Sequence, residues 1–229
     1  MLTALPQAKP SREIVKFNLT RLFKIVQMKE PIKLILFDLG GVLVELGPSP
    51  LPSDWLHHAS PSFSVKEWFS SPSATHFERG LCTPMEFATA LKSELGITAS
   101  RRDILSAFKD WPRGLMPGVT TLLEQLAPHY RLAVLSNSNE IHWPQLSQEL
   151  GLQHYMEQLY SSHLLHKSKP DPAIFQQVLN ELSLVPEQVL FFDDNQHNID
   201  SAQALGIRSH LVNGPQEIRH ILDFPVLQT

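Results

Sequence analysis

The sequence predicts an α/β protein, a doubly wound parallel sheet with a helical insertion after its first strand. Three observations carry that expectation. Short apolar runs recur at Leu34–Phe37, Leu132–Leu135, Gln158–Ser161, Val189–Phe192 and Ser209–Val212, each followed by polar or turn residues, as buried parallel strands are. Stretches with helical spacing lie between them, and alternation of this kind builds a parallel sheet covered on both sides. From about Leu46 to Leu115 the alternation breaks.

Taken in order, each element has a local reason. The first strand is an uninterrupted apolar run closed by Asp38, after which the chain turns through Gly40 and Gly41. The broken interval opens with Pro48, Pro50, Pro52, Pro61 and Pro72 among serines and reads as loop. Helical stripes follow, one through Phe87, Ala88, Leu91 and Leu95 and another through Ile104, Leu105 and Phe108. Glu78-Arg79-Gly80 reads as a plain turn before the helix near Pro84, the alternative being that it faces the site. Trp55, Trp68, Phe69, Phe77 and Trp111 supply aromatic area for a small separate core. The interval is therefore expected to be a helical insertion standing over the sheet edge. Pro117-Gly118 returns the chain to the main body, where Val119, Leu122, Leu123 and Leu126 form a core-facing stripe. Ile174, Phe175, Val178, Leu179 and Leu182 form another, with Pro172 suited to its first turn. The expected organisation is an N-terminal extension over residues 1–30, a core of 31–45 and 116–229, and a helical insertion over 46–115.

Composition narrows the function classes. At 42% hydrophobic and 18% charged residues, with a net charge of −4, the chain reads as an ordinary soluble protein with no pull toward nucleic acid or membrane. The lone Cys82 excludes an internal disulfide and fits a reducing compartment, so a cytoplasmic location is expected. No activating His or Asn pattern surrounds it. No signal peptide or spanning apolar run is evident. Residues 1–30 carry Lys9, Arg12, Lys16, Arg21, Lys24 and Lys29 against Glu13 and Glu30. They read as a loosely docked extension, with a basic amphipathic helix as the alternative. A natural start at Met28 is a third reading.

The chemistry concentrates at strand ends. Asp38 follows the first strand, Ser136 the second, and Asp193-Asp194 the fourth, while Lys169 precedes a helix. Taken singly, Ser136 reads equally as a turn residue, Lys169 as solvated and the Asp pair as a helix cap. Together they place three carboxylates, a hydroxyl and an ammonium at the edge where open α/β sheets bind ligands. Adjacent like charges such as Asp193 and Asp194 are costly unless a cation or proton offsets them, and Mg²⁺ prefers such hard oxygen ligands. A metal between Asp38 and Asp194, Asp38 as nucleophile on phosphorus, Lys169 balancing charge, and Ser136 with the Asn137 amide as donors make phosphoryl transfer the expected reaction.

In this arrangement the chain resembles the haloacid dehalogenase-like (HAD) hydrolase superfamily. The motifs match in order, Asp38 in FDLGGVL, Ser136 in LSNSN, Lys169 in KSKPDPAIF and Asp193-Asp194 in FFDDNQHNIDSAQALGI, over about residues 32–213. The stretches FDLGGVLV, LSNSN and FFDDN are most similar to the bacterial α-D-glucose-1-phosphate phosphatase group. The resemblance implies a HAD-like core whose helical insertion serves as a cap, and a Mg²⁺-dependent phosphatase working through an aspartyl-phosphate. Asp38, Lys169 and Ser136 are then catalytic, and Ser136, Asn137, Lys169 and Gly41 hold the phosphoryl group. Asp38, the Gly40 carbonyl, Asp194 and Asp193 form the metal site, Asp194 being the direct ligand of the pair, and Asn198 orders the loop. The expected partner is a small phosphorylated metabolite, a sugar phosphate at its narrowest, handled by a monomer or homodimer. Many family phosphatases carry a second Asp two residues after the nucleophile as general acid and base. Here that position is Gly40, so the role is either empty or filled from elsewhere, the candidates being His142, His57, His58, Glu45 or water. The rival readings are a non-catalytic HAD-fold binding or regulatory module, kept alive by Gly40, and a 2-haloacid dehalogenase, opposed by the Asp pair.

Overall fold

Five parallel strands lie side by side in the order β5 (Gln158–Ser161), β4 (Arg131–Ser136), β1 (Leu34–Phe37), β6 (Val189–Asp193), β7 (Arg208–Leu211) in a computed structural model of the chain. It describes residues 30–56, 68 and 71–222. The chain divides into two units, residues 1–31 and 32–229, and every element below belongs to the second. Residues 1–29 of the expected N-terminal extension, Phe69, His57 and His58 fall outside the described residues.

All five strands coincide with the apolar runs, within a residue at either end. Their pleat sends alternate residues to opposite faces. Ile35, Phe37, Leu132, Val134, Leu190 and Phe192 pack on one side with α5 (Val119–Leu126) and α9 (Pro215–Ile221). Leu34, Leu36, Ala133, Leu135, Val189 and Phe191 pack on the other with α7 (Pro172–Leu182) and α8 (Gln196–Ala204). Because both faces are covered, the strands show no polar alternation, which is why they read as continuous apolar runs. The caps match their sequences. Pro172 opens α7 behind an Asp171 cap, and Asn195, rather than the Asp pair, caps α8 by accepting from the His197 N–H.

A third cluster gathers α1 (Ser53–Leu56), α2 (Pro72–Glu78), α3 (Pro84–Leu95) and α4 (Arg101–Lys109). Its centre is aromatic. Phe77 stacks on Phe87 at 4.4 Å between centroids, and Trp68 lies 5.3 Å from Phe108. Trp111 belongs to the same cluster, with Trp55 partly buried against it. The turn at Arg79-Gly80 separates α2 from α3, whose Thr83 and Glu86 form a reciprocal capping box.

One pair of strands was not predicted. β2 (Val44–Leu46) runs antiparallel to β3 (Pro112–Leu115), with Val44 opposite Leu115 and an irregularity between Glu45 and Leu46. The Trp111 indole donates to the Gly47 carbonyl at 2.9 Å, and the Gly47 N–H donates back to the Trp111 carbonyl at 2.8 Å. Segments this short, one holding Pro112 and Gly114, carry too little alternation to read as strands.

Candidate active site

The sheet order places the two strands that flank β1 on either side of Asp38. Phe37 is in register with Val134 of β4 and with Phe192 of β6. One residue further on, Asp38 is level with Asp193, and Ser136 lies just beyond on the other side. The Asp38 N–H donates to the Phe192 carbonyl at 2.9 Å, so the ladder continues to the carboxylate itself. Because β4 and β6 leave β1 in opposite directions, the crevice is a topological switch point, where ligands bind in open α/β sheets.

Lys169 joins this edge from the loop before α7. Its ammonium lies 2.8 Å from Asp38 Oδ1 and 2.6 Å from Asp193 Oδ2, with a side chain only 1% exposed. The solvated reading of Lys169 is thereby corrected. Asn137 holds the lysine by its backbone, accepting from the Lys169 N–H and donating to the Lys169 carbonyl, both at 2.9 Å. Ser136 is buried beside it, its hydroxyl making only a 3.5 Å contact with the Asn137 carbonyl. Burial alone would lower the Lys169 pKa, but the charges of Asp193 and Asp38 outweigh it and raise the value. The ammonium therefore stays charged. For Asp38, burial pushes the carboxyl up and Asp193 adds to the shift, against the pull of Lys169.

Asp193 and Asp194 play different parts. Asp193 is fully buried and accepts from Lys169, from the Asn195 N–H at 2.8 Å, and from Asn198 Nδ2 at 2.9 and 3.1 Å. Asn198 thus orders the loop. Asp194 is the more exposed of the two, its carboxylate set in the crevice, where carboxylate oxygens of Asp38, Asp193 and Asp194 lie within 4.8 Å of one another. Its pKa is pushed up to about 7, first by loss of solvation and then by the charges of Asp38 and Asp193. Gly41 makes room for it. At φ +71° Gly41 is in the left-handed region, and a Cβ there would sit 2.3 Å from Asp194 Oδ2. Gly40 has Leu46 over it, a Cβ there meeting Leu46 Cδ1 at 3.0 Å. Hard carboxylate oxygens crowded this closely suit a divalent cation such as Mg²⁺.

The candidates for the role missing at Gly40 fare unevenly. His142 is buried and engaged on both sides. Its Nε2 lies 2.7 Å from the Phe108 carbonyl, and its Nδ1 accepts from Asn139 Nδ2 at 3.2 Å. Burial lowers its pKa to about 4, so it is a neutral donor to Phe108 rather than a proton carrier. Glu45 is exposed on β2. Cys82 is half-buried, and burial together with Glu86 and Glu140 raises its pKa, the opposite of an activated thiol.

One group comes from the turn that the sequence left open. Glu78, at the end of α2, is half-buried, with a pKa raised to about 7 by burial and then by Asp38, against the pull of Lys169. The turn is held from below. Ser162 Oγ donates to the Glu78 carbonyl, a ring nitrogen of His166 lies 3.1 Å from the Arg79 carbonyl, and a Cβ on Gly80 would sit 2.3 Å from the His163 carbonyl. Arg79 Nε is buried without a hydrogen-bond partner among the described residues.

Comparison with known proteins agrees with this geometry. The family model described as "Haloacid dehalogenase-like hydrolase" matches residues 35–212. A D-ribitol-5-phosphate phosphatase from Bacteroides thetaiotaomicron is 26% identical over 186 residues, covering 78% of this chain and 90% of that protein. A phosphoglycolate phosphatase from Pseudomonas aeruginosa is 25% identical over 77% of this chain and 67% of its own. Among solved structures, a HAD family enzyme from Bacteroides thetaiotaomicron in complex with magnesium and inorganic phosphate has a TM-score of 0.65 at 29% identity, covering 79% of this chain and 93% of that one.

Proposed function

Since the chain belongs to the haloacid dehalogenase-like hydrolase family, we propose that it is a Mg²⁺-dependent phosphatase acting on a small phosphomonoester. The observation that carries this reading is the contact set around Asp38: Lys169 at 2.8 Å and the carboxylates of Asp193 and Asp194 within 4.8 Å. Phosphatases among the relatives support it, and the ribitol phosphate named for one of them favours a sugar or polyol phosphate.

In this mechanism Asp38 attacks phosphorus and forms an aspartyl-phosphate, which water then hydrolyses. Lys169 holds Asp38 in place and neutralises the transferring oxygens. Ser136 and the Asn137 amide donate to those oxygens, and Gly41 keeps the backbone low enough for them to approach. Asp193 fixes Lys169, leaving Asp194, Asp38 and the Gly40 carbonyl to hold Mg²⁺. The metal, when bound, supplies charge neutralisation and polarises a phosphate oxygen. The helical region over residues 46–115 acts as the cap that selects the substrate. The site needs no acid on the nucleophile's own loop for esters with good leaving groups, so Gly40 is compatible with turnover.

Release of phosphate from p-nitrophenyl phosphate, with and without Mg²⁺, tests the reading, and a screen of phosphorylated metabolites then finds the substrate. Metal-dependent release is expected. No release from any phosphoester at high enzyme concentration would favour a binding module on the same fold.

A further inference from the structure

Phosphoryl transfer from an alkyl or sugar ester leaves one proton without a carrier. The departing alcohol oxygen needs a proton, and the water that attacks later must lose one. Most polar groups around Asp38 are already engaged. Lys169 is paired with Asp38 and Asp193. Asp193 accepts from Lys169, Asn195 and Asn198, and Asp194 is the ligand pressed against Gly41. Gly40 has no side chain, and the space beside it is held by the apolar Leu46. His142 is locked between Phe108 and Asn139.

We infer that Glu78 is the proton carrier of this site, a carboxyl delivered from the end of α2 rather than from the loop that bears the nucleophile. In the first step the Asp38 oxygen–phosphorus bond forms, the bond from phosphorus to the ester oxygen breaks, and the Glu78 proton passes to that oxygen. In the second, a water oxygen bonds to phosphorus, the Asp38–phosphorus bond breaks, and the water's proton returns to Glu78. Atoms and charge balance, and the carboxyl is restored after each cycle.

Placement supports the role. Ser162 Oγ bonds the Glu78 carbonyl and also accepts from the Ser138 N–H at 2.9 Å. Ser138 lies two residues beyond Ser136, so one hydroxyl ties the end of α2 to the loop that faces the phosphoryl group. Gly80 packed on His163 and Arg79 bonded to His166 keep the turn from swinging away. Asp38 on β1 and Lys169 before α7 act on the Glu78 carboxyl, Arg79 follows it in the chain, and His163 and His166, on α6 (Ser162–Leu165) and at its end, meet the turn at Gly80 and Arg79. Burial favours the protonated form of a carboxyl placed there, so Glu78 enters the cycle as an acid and can take the proton back afterwards.

This role rests on the phosphatase reading, and the test separates the two. The kcat/KM of Glu78→Gln is compared with wild type over a series of phosphomonoesters from p-nitrophenyl phosphate to alkyl and sugar phosphates, at saturating Mg²⁺, with thermal melts confirming an intact fold. Loss of a general acid falls on poor leaving groups. The expected deficit is at least about 100-fold for alkyl phosphates and far smaller for p-nitrophenyl phosphate, whose phenolate departs unprotonated. A deficit equal across the series, or none, would overturn the role of Glu78 while leaving the phosphatase standing. A wild-type enzyme inactive on every ester would overturn both.

Discussion

Neighbouring carboxylates in this site should respond in opposite ways to the same substitution, and Asp193→Asn against Asp194→Asn is the test. Asp193 is fully buried, with its two oxygens engaged by Lys169 at 2.6 Å, Asn195 at 2.8 Å and Asn198 at 2.9 and 3.1 Å. An amide of the same shape turns one of those acceptors into a donor, facing either the Lys169 ammonium or the Asn198 amide. It also leaves the buried Lys169 with Asp38 as its one counter-charge. Breaking a buried pair by neutralising one partner costs about 3–5 kcal/mol, a large share of the ~5–15 kcal/mol that holds a typical domain. Asp194 is exposed and repelled by Asp38 and Asp193, so in metal-free protein Asp194→Asn removes repulsion and costs nothing. Urea unfolding followed by circular dichroism at pH 8 in EDTA reads both. If Asp193→Asn lost less than about 1 kcal/mol, or if Asp194→Asn lost as much as its neighbour, the division of labour between the two would be wrong.

Further expectations follow from the same contacts. Mg²⁺ should raise the melting temperature of wild type but not of Asp194→Asn; ligand at about 100 times its Kd stabilises by ~2.7 kcal/mol, and an equal rise in both proteins would remove Asp194 from the metal site. Gly41→Ala should weaken Mg²⁺ binding at least tenfold by calorimetry, because the added methyl meets Asp194 Oδ2 at 2.3 Å and the backbone is at φ +71°. His142, with its folded pKa lowered from 6.5 to about 4, holds fewer protons folded than unfolded between those values, so its contribution is present above pH 6.5 and lost as pH falls toward 4. That amounts to about 3 kcal/mol, and the difference between wild type and His142→Gln in urea should shrink over that window. Lys169→Ala should cripple the chemical step, and a surviving single-turnover rate would take Lys169 out of the mechanism.

Much of this molecule is legible in its sequence. Strands buried on both faces leave uninterrupted apolar runs, so all five stand out, and the residues at the carboxyl ends of β1, β4 and β6 must share an edge once the sheet is parallel. What stayed hidden depended on distant placement or on short segments. β2 and β3 are too short and too broken by Pro112 and Gly114 to declare themselves. Glu78 reads as part of a turn that is either plain or faces the site, and the choice between the two depends on where α2 is set down relative to Asp38. His142 looked like a spare base in the sequence because nothing there reveals its burial against Phe108. The resemblance names Asp194 as the direct ligand of the acidic pair, but that Asp193 turns inward to hold Lys169 comes only from the fold.

The central claim is that Asp38 carries the phosphoryl group, and trapping that adduct tests it most directly. A single turnover quenched in acid within milliseconds, followed by peptide mass spectrometry, should find phosphate on the peptide bearing Asp38 and nowhere in Asp38→Asn, which should also be inactive. Phosphate release at the wild-type rate by Asp38→Asn, or an adduct on another residue, would contradict the account.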